Sequence, residues 1–446
     1  MVSLKIAIAG TRGVPARYGG FETFAAELST RLVACGHEVA VYCRSGSGES
    51  GVGGRSDFVQ DPTLGNRNSD IEGSDILYRN EVETSPTPDP RKPTPVQRIV
   101  LPALRHKYFE TVSHTFLSAL DALRRDFDVI LLCNAANAFV LPLLRAARIP
   151  VAINVDGIER RRRKWNVMGK AVYAIGESFS ALFASRVVAD ADVIADYYRG
   201  RYGIEPVMIP YGAEFPIEED SDVLDRLGVQ SGNYILYVSR FEPENNPLEV
   251  VRAYSALAGV GSRESGVGEL RHPTPDSRHP PGVGSGQSEV GMLRPPTPDP
   301  RPPLIMLGSA SYARDLEAEL HRHASERILF PGALFGVDYR TLQRHALLYI
   351  QATEVGGTHP AMIEAMGSGG CVLAHDTPEN REVGGDAVGY FELRRSETLS
   401  GTLRECLDSP ARRAQMRTAA RARAAEKYGW TAVTDAYERL FSEIAR

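Results

Sequence analysis

The chain has 446 residues, 43% apolar and 24% charged, with a net charge of -5. That length exceeds one ordinary core, so two domains are expected, and the mildly acidic balance gives no electrostatic reason for a nucleic-acid partner. Five scattered cysteines, Cys35, Cys43, Cys133, Cys371 and Cys406, form no CxxC pair, which argues against a disulfide framework or a zinc site and for the cytoplasm. No apolar run reaches about 18 residues, so the protein is expected to be soluble or at most peripheral to a membrane.

The N-terminal stretch "AIAGTRGVPARYGGFETFAAELSTRLVACGHEVAVYCR" reads as strand, glycine-rich turn, helix and second strand. Phe21, Phe24, Leu28 and Leu32 share one side of that helix, and Gly36 stops it. A dinucleotide fold would place GxGxxG in the turn and an acid at the end of the second strand. The glycines fall instead at Gly10, Gly13, Gly19 and Gly20, and the strand closes on Arg44. Gly19 and Gly20 offer either a close backbone approach to a phosphate or sugar, or a plain strand-to-helix turn.

Residues from about 45 to 95, and again from about 259 to 303, are rich in Gly, Pro and Ser without an apolar period, and they read as disordered insertions. "PTPDPR" occurs in both, which favours spread sequence over a built ligand site, with a Pro-rich partner motif as the alternative.

Between the insertions, "FDVILLC", "PVAINVDG" and "RVVADADVIA" continue the strand series. Asp156 follows a strand in "NVDGIERRRRKW", where it is a candidate catalytic or acceptor-positioning carboxylate, or simply a turn residue. The run Arg160 to Lys164 suits either a solvated helix face or anionic lipid headgroups. The "DAD" at Asp190 to Asp192 imitates a metal motif, but strand or turn alternation explains it and no metal is expected.

A second series begins at "NYILYVS" and continues through "PLIMLGS", "RILFPG", "HALLYIQA" and "GCVLAHD". Continuous apolar strands alternating with helices predict doubly wound α/β domains, here one over 1–214 and another over 215–446. After the first strand of the second half, "SRFEPENN" puts Arg240 where a parallel sheet binds ligands, and a guanidinium suits a bidentate hold on phosphate. In "EVGGTHPAMIEAMGSGG", Pro360 fits the first helical position with Thr358 or His359 as the cap. Gly356 and Gly357 then admit a ligand to the helix amides, and Glu364, one turn in, reaches ribose hydroxyls or is solvated beside a packed core helix.

Taken together, "GGFETFAAELSTRLVACGHEVAVY", "SRFEPENN", "GGTHPAMIEAMGSGGCVL" and "YGWTAVTDAYERLF" resemble glycosyltransferase family 4 in the GT-B fold, particularly its rhamnosyltransferase-like branch. The resemblance implies two Rossmann-like domains facing a cleft and a nucleotide-diphosphate sugar held mainly by the C-terminal domain. It further implies a terminal helix that packs back on the N-terminal domain, retention of configuration, and neither cofactor nor catalytic metal. By position it gives Arg240 to the donor diphosphate, Glu364 to the ribose, and the amides around Gly356, Gly357 and Thr358 to sugar and phosphate, with Gly19 and Gly20 across the cleft. The sequence departs from the broad family in two places. Gly356 stands eight residues before Glu364, where the family has its first Glu, and Asn245 replaces the usual Lys. The expected activity is sugar transfer, with rhamnose as the named deoxyhexose, to a glycan or polyprenyl-linked acceptor. A hydrolase or epimerase on the same fold, and a non-catalytic nucleotide-sugar-binding or assembly protein, are the alternatives.

Overall fold

The computed structural model describes residues 2–15, 20–45, 78–80, 95–104, 110–163, 165–213, 215, 220–257, 301–310, 313–393 and 396–445. Most of both expected insertions lies outside the described residues, as does Gly19. Of the expected link at 214–215, only Phe215 is described.

The first half folds as a parallel sheet of β1 (Lys5–Ala9), β2 (Glu38–Arg44), β3 (Tyr78–Asn80), β4 (Val96–Leu101), β5 (Val129–Cys133), β6 (Val151–Asn154), β7 (Arg186–Ala189) and β8 (Val207–Met208). Their order across the sheet is β3-β4-β2-β1-β5-β6-β7-β8. The helices α1 (Gly20–Ala34), α2 (Glu110–Ala122), α3 (Leu141–Ala146), α4 (Val167–Phe183) and α5 (Asp192–Tyr202) connect them. Burial on both faces explains the unbroken apolar strands. Along β1, Ile6 and Ile8 enter one apolar layer with Phe24, Leu28 and Val41, while Ala7 and Ala9 enter the opposite one with Tyr42, Ile130 and Ile153. Within the first expected insertion, residues 78–80 form the edge strand β3, and three residues are too few to show a period.

After α6 (Val223–Arg226), the second half folds around β9 (Ile235–Val238), β10 (Leu304–Leu307), β11 (Ile328–Gly332), β12 (Leu348–Gln351), β13 (Val372–His375) and β14 (Gly389–Phe391). These strands, ordered β11-β10-β9-β12-β13-β14, also pair in parallel. Around them pack α7 (Pro247–Ala256), α8 (Arg314–His321), α9 (Gly336–His345), α10 (Pro360–Gly367), α11 (Pro378–Gly384), α12 (Ser396–Asp408) and α13 (Pro410–Tyr428).

The last helix, α14 (Trp430–Ile444), leaves this domain. Trp430, Val433, Tyr437 and Phe441 join the apolar layer of the first sheet, whereas Ala420, Ala424 and Tyr428 of α13 belong to the second. Buried His37 and Glu438 meet at 3.1 Å, and Asn154 Nδ2 donates to the Tyr437 hydroxyl at 3.0 Å. The final helix thereby ties into the strand that leads to Asp156.

Candidate active site

The strand ends that carry "NVDGIERR", Asp190, Arg240 and the glycine turn before α10 face one another across a cleft, the position where open parallel sheets bind ligands. Between them lies a cavity of ≈ 270 Å³ whose walls include Gly20, Arg162, Arg240, Asn245, His359 and Pro360. That size stands near the lower end of small-molecule sites, roughly 300 Å³ upward. The starts of α1 and α10 both reach it: a Cβ on Gly20 would sit 3.8 Å from the Pro360 ring. The positive ends of two helix dipoles therefore meet at one space, which favours an anion.

Arg240 follows β9, and its side chain is 44% exposed with one carboxylate, Glu242, at 3.6 Å. Its loop is held from within the domain. Asn245 Nδ2 donates to the Arg240 carbonyl at 2.7 Å, and the Tyr237 hydroxyl donates to the Asn245 carbonyl at 2.7 Å. Asn246 takes a left-handed conformation, φ 55°, and its amide donates to the Ala352 carbonyl at 2.9 Å. The residue where the broad family has Lys thus positions Arg240 through its backbone while also lining the cavity.

The basic run is neither solvated as a unit nor directed at a membrane as a unit. Arg162 is buried in the cleft, 2.5 Å from Glu159 and 3.8 Å from both Glu242 and Glu244 of the other domain. Burial works against its charge, yet Glu159, Asp156, Glu242 and Glu244 together raise its pKa. Arg163 meets Glu354 at 2.6 Å across the same cleft, and Arg160 lies 3.2 Å from buried Glu177. Lys164 lies outside the described residues. A count of like charges in sequence could not show this, because the carboxylates sit on other strands.

Asp190 joins the two halves of the chain. At 1% exposure its carboxylate accepts the Thr358 amide at 2.8 Å, and its carbonyl accepts the Thr358 hydroxyl. Gly357 lies so close to Asp190 that no Cβ fits there, and a Cβ on Gly157 would come within 2.8 Å of Gly356. The glycines therefore let two backbones meet between domains. Glu382 reciprocates: its carboxylate accepts the amides of Asp192 and Val193, at 2.5 and 3.0 Å, at the start of α5. Burial, then the nearby Asp156 charge, raises the Asp190 pKa well above its ordinary value.

His359 caps α10 and lines the cavity, and burial lowers its pKa to about 4, helped by Arg162. At ordinary pH it faces the cavity as a neutral imidazole. Glu364 stands behind this wall, where it accepts the Tyr339 hydroxyl at 2.5 Å; burial raises its pKa to about 7. Asp156 is partly buried in a left-handed conformation, φ 55°, with its amide on Asn154 Oδ1 at 3.0 Å. Burial, then Glu159, raises its pKa, and its charge is felt by Arg162.

Of the residues expected from sequence, Gly20, Arg240 and Asn245 line the cavity, while Asp156, Gly356, Gly357, Thr358 and Glu364 stand outside its wall. Sequence reasoning gave Arg162, Asp190 and His359 no place in this cavity: Arg162 stood only in the basic run, Asp190 only in the "DAD" motif, and His359 only as an alternative cap. Only His359, as an alternative cap, carried a local signal.

Residues 19–212 match the Glycosyl transferase 4-like domain. Among solved structures, the chain resembles sucrose-phosphate synthase from Thermosynechococcus elongatus at TM-score 0.67 and 16% identity, with 99% of this chain and 98% of that one covered. HepE from Anabaena, solved with UDP and glucose, aligns at TM-score 0.65 and 14% identity over 99% and 100%. A UDP-forming α,α-trehalose-phosphate synthase from Burkholderia vietnamiensis aligns at 0.63 and 11% over 100% and 98%. No curated protein sequence matches. These likenesses establish the fold as GT-B, with two Rossmann-like domains. With its glycosyl transferase 4-like domain set in that fold, the chain is a glycosyltransferase.

Proposed function

We propose that the chain transfers a sugar, rhamnose being the deoxyhexose suggested by its motifs, from a nucleoside-diphosphate donor to a glycan or lipid-linked acceptor. The reaction retains configuration, needs no metal, and takes place at the cytoplasmic side of a membrane. The observation that carries this reading is the half-exposed Arg240 guanidinium at a cavity reached by two helix N-termini. HepE, solved with UDP and glucose, and the UDP-forming trehalose-phosphate synthase support a nucleoside-diphosphate donor by likeness.

In this reading the bond from the anomeric carbon to the diphosphate breaks while Arg240 and the helix dipoles stabilise the departing charge. The acceptor oxygen forms its bond on the same face of the sugar, and its proton passes to the leaving phosphate oxygen. Asp156 orients the acceptor from the N-terminal wall.

A thermal-shift series with nucleoside diphosphates and their sugars, repeated on Arg240→Ala, tests the donor site. Stabilisation of the wild type that disappears in the variant supports the reading; equal stabilisation of both removes Arg240 from it. Product analysis with chelator separates transfer from the alternatives. Free sugar or a new epimer without acceptor would indicate hydrolysis or epimerisation, and binding without turnover over a broad acceptor panel would indicate a non-catalytic role.

A further inference from the structure

Helix α4 has an unusual exposed side. It is capped by Asn166, four residues after Arg162, and buries its small face through Gly176 and Ser180, with Gly176 so close to the Ala135 carbonyl that no Cβ fits. The opposite side presents Met168, Val172, Ile175 and Leu182, exposed to 75, 51, 55 and 66%, and Val167 beside them is 86% exposed. Spacings of four, three and seven place these side chains on one stripe. The acid of this helix, Glu177, points inward, where it accepts the Tyr197 hydroxyl at 2.7 Å. Arg161 and Arg163 are exposed just before it, Arg163 also meeting Glu354 across the cleft, and Lys170 is exposed on the helix away from the apolar stripe. The outward side thus presents a row of large apolar groups and no carboxylate of its own, and Arg161 and Arg163 stand at its cleft end.

We propose that α4 docks this face on an anionic lipid bilayer, lying in the interface with the cleft mouth beside the headgroups. The inference deepens the proposed function, on whose lipid-linked form of acceptor it rests for its purpose. Two physical arguments select the bilayer over a second copy of the chain. A 17-residue helix is about 25 Å long, so a stripe roughly 10 Å wide offers about 250 Å², well short of the ~800 Å² that each partner of a stable complex contributes. A lipid surface has no such minimum, because apolar side chains enter it individually while neighbouring cations meet the headgroups. None of the described helices is long and apolar enough to cross a membrane, so α4 lies on the surface instead of spanning it.

Flotation of the full chain with vesicles of phosphatidylglycerol and phosphatidylcholine, compared with phosphatidylcholine alone, tests the proposal. The vesicles contain no acceptor lipid. Binding to the anionic vesicles is expected to exceed binding to neutral ones by at least roughly tenfold and to weaken with salt. Met168→Glu combined with Ile175→Glu is expected to reduce it at least tenfold, and Val172→Asp alone by a smaller factor, with unchanged melting temperature and unchanged thermal shift by UDP. The proposal is overturned if the wild type ignores anionic vesicles or if folded variants bind them equally well. It is also overturned if sedimentation shows a wild-type dimer that the Met168→Glu and Ile175→Glu changes split into monomers. Vesicle binding without any nucleotide-dependent shift would retain the docking face and remove the donor reading, and the reverse result would do the opposite.

Discussion

Arg162 and Arg240 look into one cavity from opposite walls, yet their surroundings give them different work. Arg162 is buried among Glu159, Glu242 and Glu244, so its charge is already matched within the chain. Arg240 is 44% exposed, and among the described residues Glu242, at 3.6 Å, is the carboxylate within 4 Å of it, so its remaining N–H groups are open to a ligand. The difference teaches that the local balance of carboxylates, more than nearness to a cavity, decides whether a guanidinium holds a fold or a substrate.

The largest effect expected from this contrast is on stability. Arg162→Met leaves buried carboxylates without a counter-charge and should cost about 3–5 kcal/mol in urea unfolding, where a loss below about 1 kcal/mol would break the assignment. Next comes Arg240→Ala, for which kcat/KM should fall about 10²- to 10³-fold while the melting temperature stays within roughly 2 °C. A destabilised Arg240→Ala with normal turnover would reverse the two roles.

The interdomain contact at Asp190 sharpens the comparison further. Asp190→Ala strands the buried Thr358 amide and should cost about 1–3 kcal/mol, with Asp190→Asn recovering most of it because an acceptor oxygen remains. Solution scattering should show the Ala variant more open; an unchanged profile would mean that the other cleft pairs suffice.

Glu364 gives a smaller effect that depends on pH. Its folded pKa is raised from 4.5 to about 7 by burial, so the group favours folding fully below pH 4.5, and that contribution is lost as pH rises through 7. Glu364→Gln should therefore match the wild type near pH 4.5 and exceed it by about 1–2 kcal/mol at pH 8, screening included. Melting curves with a constant difference across that range would contradict the shift. At the lower end, Gly20→Ala should change stability by no more than about 0.5–1 kcal/mol, because its Cβ meets only ordinary contact at 3.8 Å from Pro360.

Much of the architecture was legible in the chain. "FDVILLC" and "HALLYIQA" announce β5 and β12 because both faces are covered, and a strand so placed tolerates few polar residues. Pro360 marked the start of α10 through its fixed φ and missing amide. β14 was not announced, since a strand of three residues lacks a measurable period. In the site, Arg240 and Gly20 were readable from their place after a strand and at a helix start. The contact made by Asp190 was not readable, because its partner Thr358 lies 168 residues away.

By itself, then, the amino-acid sequence determined two α/β halves, their punctuation by Gly and Pro, and a guanidinium at a strand end. Those features follow from local backbone preference and from apolar burial over a few consecutive residues. Only the tertiary structure decided that Arg162 is neutralised across the cleft, that Asp190 holds the turn before α10 while Glu382 caps α5, and that α4 leaves an apolar face outward. Electrostatic pairing and exposure depend on separations of a few ångströms between distant segments, and folding sets these distances.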